Sequence, residues 1–263
     1  MTTIHLTGVV SSQITTDTTD NETIDMFNAT VPGGVYVDSF LAGTTTINLA
    51  GKDTFDLTTY RNELDAGRID ISLAPHARWL GAFITGGSLD IAGGDHSVFT
   101  NDGTSDVFGA NVVVDTKVKG TGSFEITRDS NTTGKLVFDR AVGAGQTVIL
   151  TEGDTGVLDI NDPRQFAGLV DIEAGTILAS QGFNPDSAEI NLNGIVQADA
   201  YNFRDDMLSI YSHGRVVDQL RLTSVASFQV EKTATGVSIY TSADTTHPTG
   251  TPLNLIEHLH RWE

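Results

Sequence analysis

The sequence predicts an all-β chain, an irregular right-handed parallel β-solenoid, with a sandwich or jelly roll as the competing arrangement. Three observations lead there. A triad of apolar, polar and apolar residues recurs along the chain, and on a strand it points two side chains inward and one outward. Several triads lie about 18 to 20 residues apart, near the length of one solenoid coil. Aromatics make up only 7% of the residues, while 27 glycines sit among many Thr, Asn, Asp and Ser, a mixture that favours short strands and tight turns over helices.

In chain order the triads are Ile24-Asp25-Met26, Ile47-Asn48-Leu49, Phe55-Asp56-Leu57, Ile69-Asp70-Ile71, Leu89-Asp90-Ile91 and Phe124-Glu125-Ile126. They continue as Leu158-Asp159-Ile160, Val170-Asp171-Ile172, Ile190-Asn191-Leu192, Leu208-Ser209-Ile210 and Val237-Ser238-Ile239. The steps from Ile69 to Leu89, Val170 to Ile190 and Ile190 to Leu208 read as single coils. Other gaps are shorter or much longer, so the coils carry loops of unequal length. Residues 11–23 are polar and Thr-rich and read as an irregular first coil or a mobile arm.

Two helices are expected. Leu57, Tyr60 and Leu64 have helical spacing, with Gly67 as a stop. At the tail, Thr251 is placed to cap a helix, Pro252 to occupy its first position, and Leu255, Ile256, Leu259 and Trp262 to form one stripe. The predicted organisation is therefore a solenoid over 1–240, a linker over 241–252 and a helical cap or docking segment over 253–263. The stripe residues are the candidate contacts for a partner or a second copy.

Composition narrows the function. A formal net charge of -19 repels polyphosphates, so nucleic acid is not an expected partner. The chain has no cysteine, which excludes disulfides, thiol nucleophiles and thiolate metal sites. It also lacks an apolar run of about eighteen residues, so no membrane-spanning helix is predicted. The stretch MTTIHLTGVVSSQITTDTTD has neither a basic start nor a continuous apolar core, so a cleaved secretory leader is not expected within it.

Motifs for specific chemistry break down at defined positions. Asp95, Asp102 and Asp106 lie in GGDHSVFTNDGTSDVFG, which has the residue types of calcium-binding turns but not their nine-residue repeat. A solvated turn is expected there, and calcium is the one ion left for test; no other cofactor is predicted. Asp129, Asn131, Thr133 and Gly134 open like an EF-hand loop, but Arg140 stands where its bidentate Glu belongs. Gly51-Lys52 lacks the rest of a phosphate loop, and Gly-x-Ser-x-Gly is absent. His258 and His260 diverge if the tail is helical. Asp56, Asp70 and Asp90 are outward positions that could align on neighbouring coils, as the carboxylates of a polysaccharide-cleaving solenoid would.

From residue 157, VLDINDPRQFAGLVDIEAG followed by AEINLNGI resembles a segment of large bacterial secreted repeat proteins, the adhesin and autotransporter-passenger solenoids. The resemblance rests on Leu158, Ile160, Asp162, Pro163, Phe166, Gly168, Val170, Ile172, Gly175, Ile190, Leu192 and Gly194. It continues through MLSIYSHGRVVDQLRLTSVASFQVEKTATGVSIYT to Tyr240 and is interrupted over 176–189. Such a resemblance implies surface display, adhesion or matrix structure, with self-association, another surface protein or a glycan as the partner, and an extracellular or cell-surface location. No catalytic residue is implied, and the chain is expected not to be an enzyme. A phage tail fibre or spike and a polysaccharide-degrading β-helix enzyme are the alternative readings.

Overall fold

Alternating triads can bury one face of a strand, and stacking them in parallel turns that face into a continuous interior column. This is the architecture found in the computed structural model, which describes residues 2–17, 21–39, 43–61, 67–127, 132–151, 156–172, 188–223, 228–240 and 250–256. The chain winds as a β-solenoid of parallel coils.

The first coils are β1 (Thr2–Val9) with β2 (Ile14–Asp17), and β3 (Glu22–Thr30) with β4 (Val35–Ser39). Next come β5 (Thr44–Ala50), β6 (Lys52–Thr54) and β7 (Leu57–Arg61), then β8 (Arg68–Leu73), β9 (Arg78–Leu80) and β10 (Phe83–Thr85). They are followed by β11 (Ser88–Thr100) with β12 (Thr104–Phe108), β13 (Asn111–Lys119) with β14 (Ser123–Thr127), and β15 (Lys135–Phe138) with β16 (Thr147–Leu150). After β17 (Val157–Ile160) and β18 (Leu169–Ile172), β19 (Glu189–Asn193) ends the first wall. The C-terminal end comprises β20 (Ala200–Arg204), β21 (Met207–Ser212), β22 (Arg215–Thr223), β23 (Gln229–Lys232), β24 (Gly236–Tyr240), β25 (Thr251–Pro252) and β26 (Asn254–Leu255).

One wall stacks β1, β3, β5, β8, β11, β13, β15, β17 and β19, all parallel. The facing wall stacks β2, β4, β7, β10, β12, β14, β16, β18 and β22, also parallel. A narrower third strip joins β6, β9 and the end of β11, and continues through bridges from Val118 to Val142 to Phe166. Strand partners about 20 to 24 residues apart, in parallel, are what a sandwich or jelly roll lacks.

Register produces the core. Ile24, Ile47, Ile71, Ile91, Val114, Phe138, Ile160 and Leu192 sit opposite one another on successive coils. Each is at most 1% exposed. Burying each such side chain is worth about 1.5–3 kcal/mol relative to exposure, so the column is a main source of stability. A second interior file is aromatic: Phe55 stacks on Trp79 at 5.0 Å and Trp79 on Phe99 at 4.3 Å, and the file continues through Phe83, Phe124 and Phe138 to Phe166. The buried Trp79 indole donates to the Phe55 carbonyl at 3.0 Å. Gly81 permits this crossing, because a Cβ there would lie 1.7 Å from the Phe55 carbonyl oxygen.

Polar groups inside the coil brace one another. Asn101 and Gln146 are fully buried. Asn101 Nδ2 donates to the Ser123 carbonyl at 2.8 Å, and Gln146 Nε2 donates to the carbonyls of Asn101 and Lys119 at 2.9 and 3.1 Å. Within the segment that begins at Val157, Asp162-Pro163 opens a 3₁₀ turn over Pro163–Gln165, and Phe166 packs inward 6.0 Å from Phe138.

The C-terminal end departs from the parallel stack. β24 runs antiparallel on β19, followed by β23 and β25, while β22, β21 and β20 form an antiparallel meander extended by β26. Several expectations are corrected here. The expected tail helix does not form at its start: Thr251–Pro252 and Asn254–Leu255 are extended, paired with β23 and β20. Pro252 fits an edge strand for the same reason that it would fit a helix's first position, since neither place needs its missing N–H. The linker predicted over 241–252 therefore ends in strand β25, while 241–249 lie outside the described residues. The helix expected from Leu57 is also absent over its first turn, where Leu57–Arg61 form β7; Leu64 lies outside the described residues. Of the three spacings read as single coils, only Ile69 to Leu89 joins true partners. Ile190 instead pairs with Leu158, Val170 with Val148 and Leu222, and Leu208 with Leu220.

Candidate functional site

Outward side chains of the triads form rows across the coils, and the rows are largely self-satisfied. Asp70 and Asp90 lie opposite one another, and Arg68 donates to both at 2.7 and 2.8 Å. Farther along, Lys135 Nζ lies 2.7 Å from Asp159, whose other oxygen accepts from Asn191 at 2.9 Å. Asp56 does not join the Asp70–Asp90 row. It sits at the corner before β7, where its Oδ1 accepts from the Ala82 N–H at 2.9 Å.

The other predicted ligands are similarly dispersed. Asp95 is 3.3 Å from Arg140, which also donates to Asp115 at 2.6 Å. Asp102 accepts from the Thr121 N–H at 3.0 Å, and Asp106 from the Thr127 hydroxyl at 3.1 Å. Burial pushes the Asp106 carboxyl above its usual range. Among the described residues no group of three or more His, Asp or Glu side chains is arranged to hold a metal. Asp129 and Asn131 lie outside the described residues, as do Leu259, Trp262, His258 and His260. Leu255 is half exposed on β26, and the Ile256 N–H donates to the Tyr201 carbonyl at 2.8 Å. That bond and the pairing of Asn254 and Leu255 with Ala200 and Tyr201 tie the tail to its own β20.

Two open grooves mark the outer surface. The smaller, about 310 Å³, runs along a corner past Pro32, Leu80, Asp56 and Asp102. Each of those carboxylates already accepts a backbone N–H from a neighbouring coil. The larger groove, about 420 Å³, crosses β1, β3, β5 and β8. Its polar side is the outward row His5, Asp25, Asn48 and Ser72. Asp25 stands 3.0 Å from His5 Nδ1 and accepts from Asn48 Nδ2 at 2.8 Å.

Phe27 supplies the groove's aromatic element, with 56% of its surface exposed. Its position follows from alternation: Met26 takes the interior place and leaves Phe27 outside with Asp25, and the alternation breaks only at the next residue, Asn28, which is exposed as well. Asn28 adopts φ 48° and accepts the Lys52 N–H at 2.9 Å, turning the strand at the corner. Sequence reasoning stopped at the Ile24-Asp25-Met26 triad and missed Phe27. The signal was the adjacent pair Met26-Phe27, because a strand can bury only one of two consecutive side chains on a single inner face.

Taken together, Phe27 offers a flat apolar surface beside a fixed row of planar donors and acceptors. Asn48 retains its carbonyl oxygen and one N–H, and Ser72 its hydroxyl, for a ligand. The arrangement can hold a polyhydroxylated ring by its C–H face and its hydroxyls. Comparisons with protein-family models, with curated proteins and with solved structures find no match to this chain.

Proposed function

We propose that the chain is a non-enzymatic structural and adhesive protein of an extracellular or cell-surface assembly, a rigid solenoid that meets a neutral glycan at the Phe27 groove. The observation that carries this reading is the exposed Phe27 beside the pre-aligned His5–Asp25–Asn48 row. An aromatic face and amide and carboxylate groups held by neighbours lose little freedom on binding, which favours recognition over turnover. A net charge of -19 disfavours acidic polysaccharides and leaves neutral sugars as the matching class.

Support against catalysis comes from how the carboxylates are spent. Asp70 and Asp90 share Arg68, whereas glycoside cleavage needs one carboxyl free to donate a proton and another free to attack or activate water. The resemblance over residues 157–240 points the same way, toward display and adhesion.

Affinity electrophoresis through gels containing neutral polysaccharides tests the reading. Migration should be retarded, the polymer should keep its length, and Phe27→Ala should restore free migration. Release of reducing ends that stops when Asp56 or Asp102 becomes Asn would overturn it in favour of an enzyme. Protease treatment of intact producing cells tests location: digestion of the protein without lysis is expected, and full protection would refute surface exposure.

A further inference from the structure

The two ends of the solenoid are built differently. At the C-terminal end the parallel walls turn into antiparallel hairpins, and the outermost strands, β25 and β26, are each two residues long. Short strands, one carrying Pro252, leave little backbone for another chain to pair with. At the N-terminal end, β1 pairs only with β3 and β2 only with β4 among the described residues. The eight-residue β1 therefore presents one side of its backbone unpaired.

The interior columns are also uncovered there. Ile4 lies opposite Ile24 and Leu6 opposite Met26, yet Ile4 and Leu6 are only partly buried, while their partners are 0% and 2% exposed. Val9 is 80% exposed. Charge separates this end from the rest: residues 1–16 contain no Asp, Glu, Lys or Arg, in a chain of net charge -19. Two copies repel one another along their walls and least where these ends meet, since Asp17 at the end of β2 is the one charged residue on the two edge strands.

We propose that this edge pairs antiparallel with the same edge of a second copy, β1 on β1 and β2 on β2, giving a closed head-to-head dimer. A two-fold axis at His5 sets Ile4 against the second copy's Leu6, so each uncovered column continues into its counterpart. Such an isologous contact uses up the exposed edge in both copies, and the capped far ends prevent growth into a fibre. Mutual repulsion of the acidic walls makes the dimer tighten as salt screens it.

The absence of cysteine from the chain makes the test clean. The full chain should sediment as a dimer at about 100 μM, with the dimer fraction rising from low to moderate salt. Single cysteines at Thr3, His5 and Thr7 should give a disulfide-linked dimer strongest at His5, whose own copy it faces across the axis within bridging distance. A cysteine at Leu255 on the capped end should give none. Ile4→Lys should weaken the dimer by about 100-fold or more, by placing a charge in the joined column. If that variant loses its strand circular dichroism, the cysteine series alone decides. A monomer at this concentration, or crosslinking through Leu255 with none through β1, overturns the proposal.

Discussion

Replacing Asp218 with Asn should stabilise the protein at neutral pH and leave it unchanged in acid. Asp218 lies on β22 opposite Ile210 and is 8% exposed. Desolvation raises its carboxyl from 3.8 to about 6, only partly offset by the Gln219 N–H and by Arg164, while Asp162 adds to the rise. Because the folded state holds the proton more tightly than the unfolded one, folding is favoured below pH 3.8, and that advantage is lost as pH climbs through about 6. A gap of about two units corresponds to roughly 3 kcal/mol at 1.36 kcal/mol per unit, a ceiling that water reaching the carboxylate lowers. Asn keeps the shape and an acceptor for Gln219 but cannot ionise. The expected gain is about 1–3 kcal/mol at pH 7.5, fading to nothing near pH 4. Urea unfolding at several pH values, followed by circular dichroism, reads it, and any early transition of the C-terminal hairpins should carry the effect. A gain that is equal at pH 4 and pH 7.5, or a loss at pH 7.5, would refute burial of the charge as the cause.

Trp79→Ala should destabilise by about 3–5 kcal/mol, since it opens a cavity between Phe55 and Phe99 and leaves the Phe55 carbonyl without its donor; chemical denaturation measures it. Gly81→Ala should be worse than its one added methyl suggests, because the Cβ meets the Phe55 carbonyl oxygen at 1.7 Å, and thermal melting should show a lower midpoint or no folded protein. Arg68→Ala should leave the melting temperature nearly unchanged, as the exposed pairs with Asp70 and Asp90 are screened by water. Phe27→Ala should likewise leave stability intact while weakening glycan retardation about tenfold, a separation that a purely structural Phe27 would not show.

The walls were legible because triads such as Ile69-Asp70-Ile71 and Leu158-Asp159-Ile160 need only strand periodicity to be read, and both flanking residues are buried as expected. Partner assignment was less legible. Spacing along the chain does not distinguish a step within one wall from a step across to another, so Val170 and Ile190 looked like neighbours and are not. Asp159 and Asn191, 32 residues apart, are neighbours across a long insertion. The last triads carry a further lesson. Ser209 and Ser238, at outward-looking central positions, are 8% and 3% exposed, because each is a short side chain on a central strand held against a longer neighbour, Ser209 by Gln219 and Ser238 by Asn191. Periodicity reports which side chains share a face, but only the tertiary arrangement determines whether the second face meets solvent. The tail failed for a related reason: Thr251, Pro252 and Leu255 satisfy the rules for a helix start and for an edge strand equally well, and the free edges of β23 and β20 decided between them.

Coils of unequal length can still stack because register is set separately on each wall, while length variation is absorbed at the corners. The Ile47, Ile71, Ile91 column is unbroken although the steps within it differ, and the β11 strand takes up its surplus as irregularities between Ala92 and Val98. Walls under that constraint have little freedom to acquire specificity, since any inward change disturbs the neighbours above and below. Corners have more. The Phe27 groove arises at such a corner, where one coil breaks strict alternation and Asn28 takes a left-handed turn. A local violation of the pattern that the rest of the chain obeys, compensated by the Asn28 bond to Lys52, is where recognition is expected to reside in a fold otherwise specified by repetition.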